Sequence, residues 1–146
     1  MRECVTKVTF YKLAGDQSLA LALVCQLVQK SLKANQQVLC LVPDNLVAQQ
    51  LDETLWAFNS VSFVPHAQGV DQAPVAISFD QKPGEHHQVL INLQPQIPTW
   101  FSRFDRVIEI IYQQPDYEQA KRDNFKFYKE RGYQLDFHDL SERFKA

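Results

Sequence analysis

Histidines and carboxylates are the side chains in this sequence that most readily bind metals or move protons. His86 and His87 are adjacent in a polar turn beside Glu85, and neighbouring side chains usually point in different directions. With no second ligand cluster nearby, a solvated turn is favoured over a metal site, which needs three or four ligands. Asp52 and Glu53 are neighbours near a predicted helix end and read as solvated. The sequence predicts no metal, no catalytic residues and no enzyme.

A phosphate-binding loop would be the next chemical signature to expect in a chain of this type. The four glycines form neither GxGxxG nor GxxxxGK[ST]. After the first predicted strand, Asp16 would place a negative charge where a phosphate usually binds. The sequence therefore predicts no cofactor. A degenerate nucleotide-binding enzyme remains an alternative, which a thermal-shift screen with nucleotides distinguishes.

Large aromatic residues are concentrated in residues 51–66, LDETLWAFNSVSFVPH. Leu51 and Leu55 share one helical face and are predicted to point into the core. That face leaves no obvious inward position for Trp56 or Phe58, and Phe63 follows only after the polar residues Asn59 and Ser60. The aromatics are either core residues or an exposed patch that binds a partner, and the pattern alone leaves both open.

The last predicted helix carries two stripes at helical spacing. One stripe is predicted to face the sheet and consists of Tyr117, Ala120, Asn124, Phe127 and Tyr128. The other contains Arg122, Phe125, Lys126 and Lys129 at i, i+3, i+4 and i+7. Cations around an aromatic ring suit a short peptide with carboxylates and an apolar residue. A solvated basic face and direct binding of single-stranded DNA are the alternatives.

Strands and helices alternate along most of the chain. Strands are predicted at 5–13, 38–42, 75–79, 89–93, 107–111 and 133–137. Helices are predicted from a cap at Asp16 or Ser18 to about 34, from a cap at Asp44 into residues 51–66, around 99–104, and from 116 to near 132. The alternation predicts a layered α/β fold with a mostly parallel sheet flanked by helices. The connection between 75–79 and 89–93 is short, which favours an antiparallel hairpin at one edge. Residues 67–74 read as a loop, and Asp116 as the cap of the last helix.

Length and composition favour a single α/β domain spanning residues 1–146. The formal net charge of −2 argues against a protein that wraps nucleic acid over a broad surface. Three cysteines in apolar or terminal contexts, without zinc spacing, indicate reduced thiols. With no signal-type or membrane-spanning apolar run, a cytoplasmic protein without a membrane partner is expected.

Several sequence blocks are familiar: LDETLWAF, SFVPH, PVAI, VLINL and KERGYQL. In order and spacing they resemble the chi-subunit family of bacterial DNA polymerase III, from the first strand to about Leu135. The resemblance implies a Rossmann-like fold and a non-enzymatic accessory role in the clamp loader during DNA replication. It also implies two partners, the psi subunit and the acidic, Phe-terminated C-terminal tail of single-stranded DNA-binding protein. Nucleic acid would then be contacted only indirectly.

The resemblance also implies site residues. The psi-facing region corresponds to Trp56, Phe63, Val64 and Pro65, with a repair helicase as a further candidate partner for that patch. The tail-binding region corresponds to Ile111, Arg122, Phe125, Lys126 and Lys129. Arg122 would hold the terminal carboxylate, and the two lysines would attract acidic residues upstream of it. Two positions depart from the family: Glu118 replaces a residue that can be basic, and Phe125 one that can be Tyr.

Overall fold

The computed structural model describes residues 6–58, 66–68, 75–79 and 86–142. The strands are β1 Lys7–Lys12, β2 Val38–Leu41, β3 His66–Gln68, β4 Val75–Ser78, β5 Val89–Asn92, β6 Arg106–Ile111 and β7 Gln134–Asp139. The helices are α1 Gln17–Lys33, α2 Asn45–Phe58 and α3 Pro115–Glu130, with a 3-10 turn at Phe101–Arg103. None of these helices has the length and apolar character needed to span a membrane.

The strands described form one sheet in the order β3-β4-β2-β5-β6-β1-β7. Every neighbouring pair in this order is parallel. The predicted α/β class, with a parallel Rossmann-like sheet flanked by helices, is confirmed. The four-residue strands β2, β4 and β5 are buried at every position, which is why they read as continuous apolar runs.

Side chains that alternate along each strand build two separate cores. On one face, Cys40 and Ile108 pack with α1 and α2. On the other, Phe10 and Val107 pack with Tyr128 of α3. Because side chains two residues apart share a face, Lys12, Glu109 and Phe137 all point toward the α3 side. The sequence pattern of the strands thus determines which charged groups meet α3.

The predicted hairpin between 75–79 and 89–93 is wrong. β4 and β5 flank β2 on opposite sides, with Val38 aligned with both Val75 and Val89, and all three strands run in the same direction. Because both strands are buried on both faces, they suit interior positions rather than an edge. The edge beside β4 is occupied by β3, which overlaps the start of the stretch predicted to be a loop.

Helix ends follow local hydrogen bonding. Asp16 caps α1, and its carboxylate accepts hydrogen bonds from the backbone of Ser18 at 3.0 Å and Leu19 at 3.4 Å. The predicted cap of α3 at Asp116 is wrong. Gln114 Oε1 accepts the Tyr117 N–H at 2.6 Å, so the cap lies two residues earlier and the helix begins at Pro115.

Candidate functional site

A cavity of about 200 Å³ lies on the α3 side of the sheet, at the carboxyl ends of β1 and β6. Its lining residues come from α3 and three strands: Lys12, Ile111, Glu118, Lys121, Arg122, Phe125 and Phe137. Three residues of the predicted tail-binding set, Ile111, Arg122 and Phe125, therefore meet in one place although eleven residues or more separate Ile111 from the other two. We call this cavity the α3 pocket.

Aromatic rings form the apolar part of the α3 pocket. Phe125 contacts Phe10 edge-to-face, with ring centroids 5.2 Å apart, and contacts Phe137 in the same way at 6.0 Å. Phe137 also stacks on Phe10 at 6.4 Å and remains 49% exposed. Edge-to-face and offset stacked rings are favourable arrangements. The pocket therefore has a rigid aromatic wall with one face accessible to a ligand.

Cationic side chains surround the α3 pocket unevenly. Arg122 is exposed at its rim, and Lys12 is half-buried at the end of β1. Lys126 and Lys129 are exposed on α3 but do not line the cavity. Glu118 does line it, one helical turn before Arg122. The charge is consequently positive along the stripe of Arg122, Lys126 and Lys129, and mixed where Glu118 joins the lining.

Beneath the pocket lies a buried ion pair that the sequence analysis missed. Lys121 Nζ lies 2.6 Å from Glu109 Oε1, and both side chains are completely buried. The ammonium group also donates to the backbone carbonyls of Gln94 at 2.6 Å and Asn92 at 3.2 Å. Glu109 Oε2 accepts hydrogen bonds from the Tyr128 hydroxyl at 2.8 Å and the Asn92 amide at 3.1 Å. Both charges are thus compensated by several partners.

Burial has the largest effect on the pKa values of Lys121 and Tyr128 in this network. It lowers the pKa of Lys121, while the nearby Glu109 carboxylate acts in the opposite direction. Burial raises the pKa of the Tyr128 hydroxyl, and the charge of Glu109 raises it further. With every donor directed at a fixed acceptor, the arrangement anchors α3 to the ends of β5 and β6.

A sequence signal for this network exists. Glu109 is a lone charge inside the apolar run VIEII, and a buried carboxylate needs a partner. Lys121 falls between Tyr117 and Tyr128 at i+4 and i−7, on the helical stripe that faces the sheet. Of the stripe predicted to be inward, Tyr117, Asn124 and Tyr128 are buried, and Ala120 and Phe127 are half-buried.

The structure describes only part of the aromatic stretch at residues 51–66, which begins in the middle of α2. Leu51 and Leu55 are fully buried, as predicted from their helical spacing. Trp56 is 55% exposed at the end of the same helix. Phe63, Val64 and Pro65 lie outside the described residues. Trp56 therefore presents an accessible aromatic surface, on the α2 side of the sheet and opposite the α3 pocket.

The crevice that binds nucleotides in related sheets has a different character here. Open parallel sheets usually bind ligands in a crevice at the carboxyl ends of two neighbouring strands, where the chain continues from one strand to one face of the sheet and from the other strand to the opposite face. In this fold, those two strands are β2 and β5. A cavity of about 250 Å³ there is lined by Pro43, Leu93, Pro95, Tyr112, Gln114, Asp116 and Tyr117. At the start of α1, Asp16 already accepts the backbone donors that would hold a phosphate. Over the described ranges, no three potential metal-ligating side chains form a cluster.

The fold and site thus define a Rossmann-like α/β protein whose aromatic and cationic pocket lies on α3 rather than at the nucleotide crevice. Residues 5–136 match the family described as DNA polymerase III chi subunit, HolC, and the chain belongs to that family.

Curated relatives named DNA polymerase III subunit chi agree with this assignment. The relative from Pseudomonas aeruginosa is 37% identical over 139 residues, covering 93% of this chain and 98% of the relative. The relative from Escherichia coli is 30% identical over 137 residues, covering 87% and 93%. The relative from Haemophilus influenzae is 26% identical over 132 residues, covering 86% and 92%.

Proposed function

We propose that this chain is a non-catalytic accessory subunit of the DNA polymerase III clamp loader, acting in the cytoplasm. It binds the psi subunit through the surface around Trp56. Through the α3 pocket, it binds the acidic, Phe-terminated tail of single-stranded DNA-binding protein. Membership of the chi family supports the replication role. Trp56 and the α3 pocket lie on opposite faces of the sheet, which supports a chain that links two partners.

The tail-binding half of the proposal depends on one observation, the convergence of Ile111, Arg122 and Phe125 on one cavity. A C-terminal phenylalanine has a ring and a carboxylate attached to the same residue. Its ring fits against Phe125 and Ile111, and its carboxylate reaches the planar guanidinium of Arg122, which binds carboxylates through paired hydrogen bonds. The same residue thereby satisfies the apolar wall and the cation at the rim.

Acidic residues upstream of the terminal phenylalanine face Lys126 and Lys129. Both lysines are exposed, so they contribute to the local potential more than to fixed contacts. Binding of this kind is expected near micromolar Kd, or about −8 kcal/mol. It should weaken as salt rises, because exposed charges are screened over about 10 Å at 0.1 M salt.

A fluorescence-anisotropy titration with a labelled acidic peptide ending in phenylalanine tests the tail site. Arg122→Ala should weaken binding about tenfold or more, because it removes a charge-assisted bidentate contact. Arg103→Ala is the matched control, since Arg103 is also exposed but lies on the 3-10 turn outside the pocket lining. Equal affinities of wild type and Arg122→Ala would contradict the assignment.

The psi surface is proposed from Trp56, Phe63, Val64 and Pro65 together. Exposure of Trp56 supports it, because large aromatic residues are enriched at the centres of protein interfaces. A pulldown with a Trp56/Phe63 double alanine variant beside Arg122→Ala separates the surfaces. Each variant should lose one partner and keep the other. Loss of both partners by both variants would contradict two separate sites.

Direct binding of single-stranded DNA is the second candidate for the same face. Phe125 is half-buried among exposed cations, and an aromatic ring beside cations can stack a base. The acidic net charge and Glu118 in the pocket lining disfavour it. Binding of oligo-dT in the absence of other proteins would support this second candidate, whereas the tail proposal predicts peptide binding without oligo-dT binding.

A further inference from the structure

The α3 pocket contains a cation that neither the helical stripe nor the family resemblance indicated. Lys12 is the last residue of β1 and lines the cavity together with Arg122. Its side chain points to the α3 side, because it is two residues beyond the inward-facing Phe10. Lys12 and Arg122 come from separate elements and approach the same space from the strand side and the helix side.

Lys12 is available for a ligand. Its register partner on β7 is Asp139, and Glu118 lines the same cavity, so these two carboxylates are the candidates to compete for its charge. Asp139 Oδ1 accepts a hydrogen bond from the Ser141 backbone N–H at 2.9 Å. The pKa of Asp139 is lowered first by hydrogen bonding with the Ser141 side chain, then by this backbone contact, and less by the charge of Lys12. No ion pair joins Lys12 to another residue within the described part of the chain.

We propose that Lys12 is a second binding cation for the terminal carboxylate of the tail, acting beside Arg122, and that it fixes the direction in which the tail lies on α3. The inference rests on the proposed function, in which the α3 pocket takes a peptide ending in phenylalanine. With the carboxylate between Lys12 and Arg122, the upstream acidic residues extend along α3 toward Lys129.

Charge around the pocket favours this direction over the reverse. Glu118 precedes Arg122 by one turn and repels acidic residues placed toward the start of α3. Asp136 and Asp139 make the exposed edge strand β7 unfavourable for an acidic chain. From Arg122 to Lys129 the helix rises about 10 Å, a distance that about three residues of an extended peptide span. The acidic residues just upstream of the terminal phenylalanine thus reach both lysines.

The test compares two labelled peptides of the same sequence, one ending in a free carboxylate and one ending in an amide. Lys12→Gln should weaken the free-acid peptide about fivefold, a value expected for one charge-assisted contact at a half-exposed site, and should leave the amide peptide unchanged. Lys12→Arg, which keeps the charge, should retain most of the affinity. Lys7→Gln is the matched control, because Lys7 is an exposed lysine at the opposite end of β1.

The outcomes separate this inference from the proposed function. If wild type binds the free-acid peptide and Lys12→Gln binds it equally well, Lys12 is not a carboxylate ligand, although the pocket still is a peptide site. If Lys12→Gln weakens the acid and amide peptides equally, Lys12 acts only through the general potential, and the inference is also overturned. If wild type binds neither peptide, both the inference and the tail-binding function fail.

Discussion

Lys121 of α3 and Glu109 of β6 form an ion pair with 2.6 Å between Nζ and Oε1, and solvent reaches neither side chain. A helix bearing a binding surface must be held in one position for its exposed residues to form a defined site. The pair joins α3 to the sheet directly below Arg122 and Phe125. Because the pair also bonds to Asn92, Gln94 and Tyr128, it fixes the rotation of α3 as well as its distance from the sheet.

Removing one member of this pair should be strongly destabilising. Lys121→Met leaves the Glu109 carboxylate buried without its counter-charge, at an expected cost of about 3–5 kcal/mol in the free energy of unfolding. Lys121→Met with Glu109→Gln should recover part of that loss, because no isolated buried charge remains. Urea denaturation of the two single variants and the double variant gives the coupling energy directly.

Lys126→Met is the control for the same change on the same helix. Lys126 is exposed, so its substitution should alter the free energy of unfolding by no more than about 0.5 kcal/mol. Additive effects of Lys121→Met and Glu109→Gln in the double variant would contradict the role given to the pair.

Alkaline pH should destabilise the fold. Burial raises the pKa of the Cys25 thiol from 9.0 to about 12, and it also raises the pKa values of Cys40, Tyr117 and Tyr128. Above pH 9 the unfolded chain releases these protons while the folded chain keeps them. The unfolded state then binds fewer protons, so the free energy of unfolding falls as pH rises. Lys121 acts in the opposite sense, because burial lowers its pKa.

Urea midpoints measured between about pH 8 and about pH 10.5 check this expectation. Cys25→Ala should be less stable at pH 8 because it leaves a small cavity, but its stability should fall less steeply with pH. A wild-type midpoint that stays constant or rises across this range would show that Lys121 outweighs the thiols and phenols.

The class of the fold could be predicted from the sequence, because the interior strands are short and apolar on both faces, and α1 and α2 carry regular apolar stripes. The order of the strands in the sheet could not be predicted from the sequence. A short connection between 75–79 and 89–93 suggested a hairpin, and nothing local in either segment shows that β2 lies between them. β3 was missed because three residues, His66–Gln68, are too few for a periodic pattern.

The candidate site could also be predicted only in part. Arg122 and Phe125 could be predicted from helical spacing, since both lie on α3. Lys12 and Phe137 enter the α3 pocket from strands at opposite ends of the chain, and only the register of β1 with β6 and β7 brings them there. Local patterns thus indicated the helix half of the pocket, and tertiary structure was needed for the strand half.

Leu55 and Trp56 are adjacent on α2, and their substitution should have opposite effects on stability and on capture of the psi subunit. Trp56→Ala should abolish capture of the psi subunit while lowering the free energy of unfolding by less than Leu55→Ala does, because more than half of the Trp56 side chain is exposed. Leu55→Ala should cost about 2–5 kcal/mol and keep psi capture wherever the protein is folded, because Leu55 is completely buried. Urea denaturation and a pulldown from purified components check both variants. Retained capture by Trp56→Ala would remove Trp56 from the psi surface.

Glu118 should limit the affinity of the α3 pocket for an acidic tail. Its carboxylate lines the same cavity as Arg122 and opposes an incoming negative charge, so Glu118→Gln should tighten peptide binding about twofold to fivefold at low salt. The gain should shrink toward zero as salt rises, because the repulsion is screened. Glu53→Gln serves as the control, since Glu53 is exposed on α2, on the other face of the sheet. Anisotropy titrations across a salt series measure both variants, and a gain that persists at about 1 M salt, where the Debye length is about 3 Å, would point to a shape effect instead of charge.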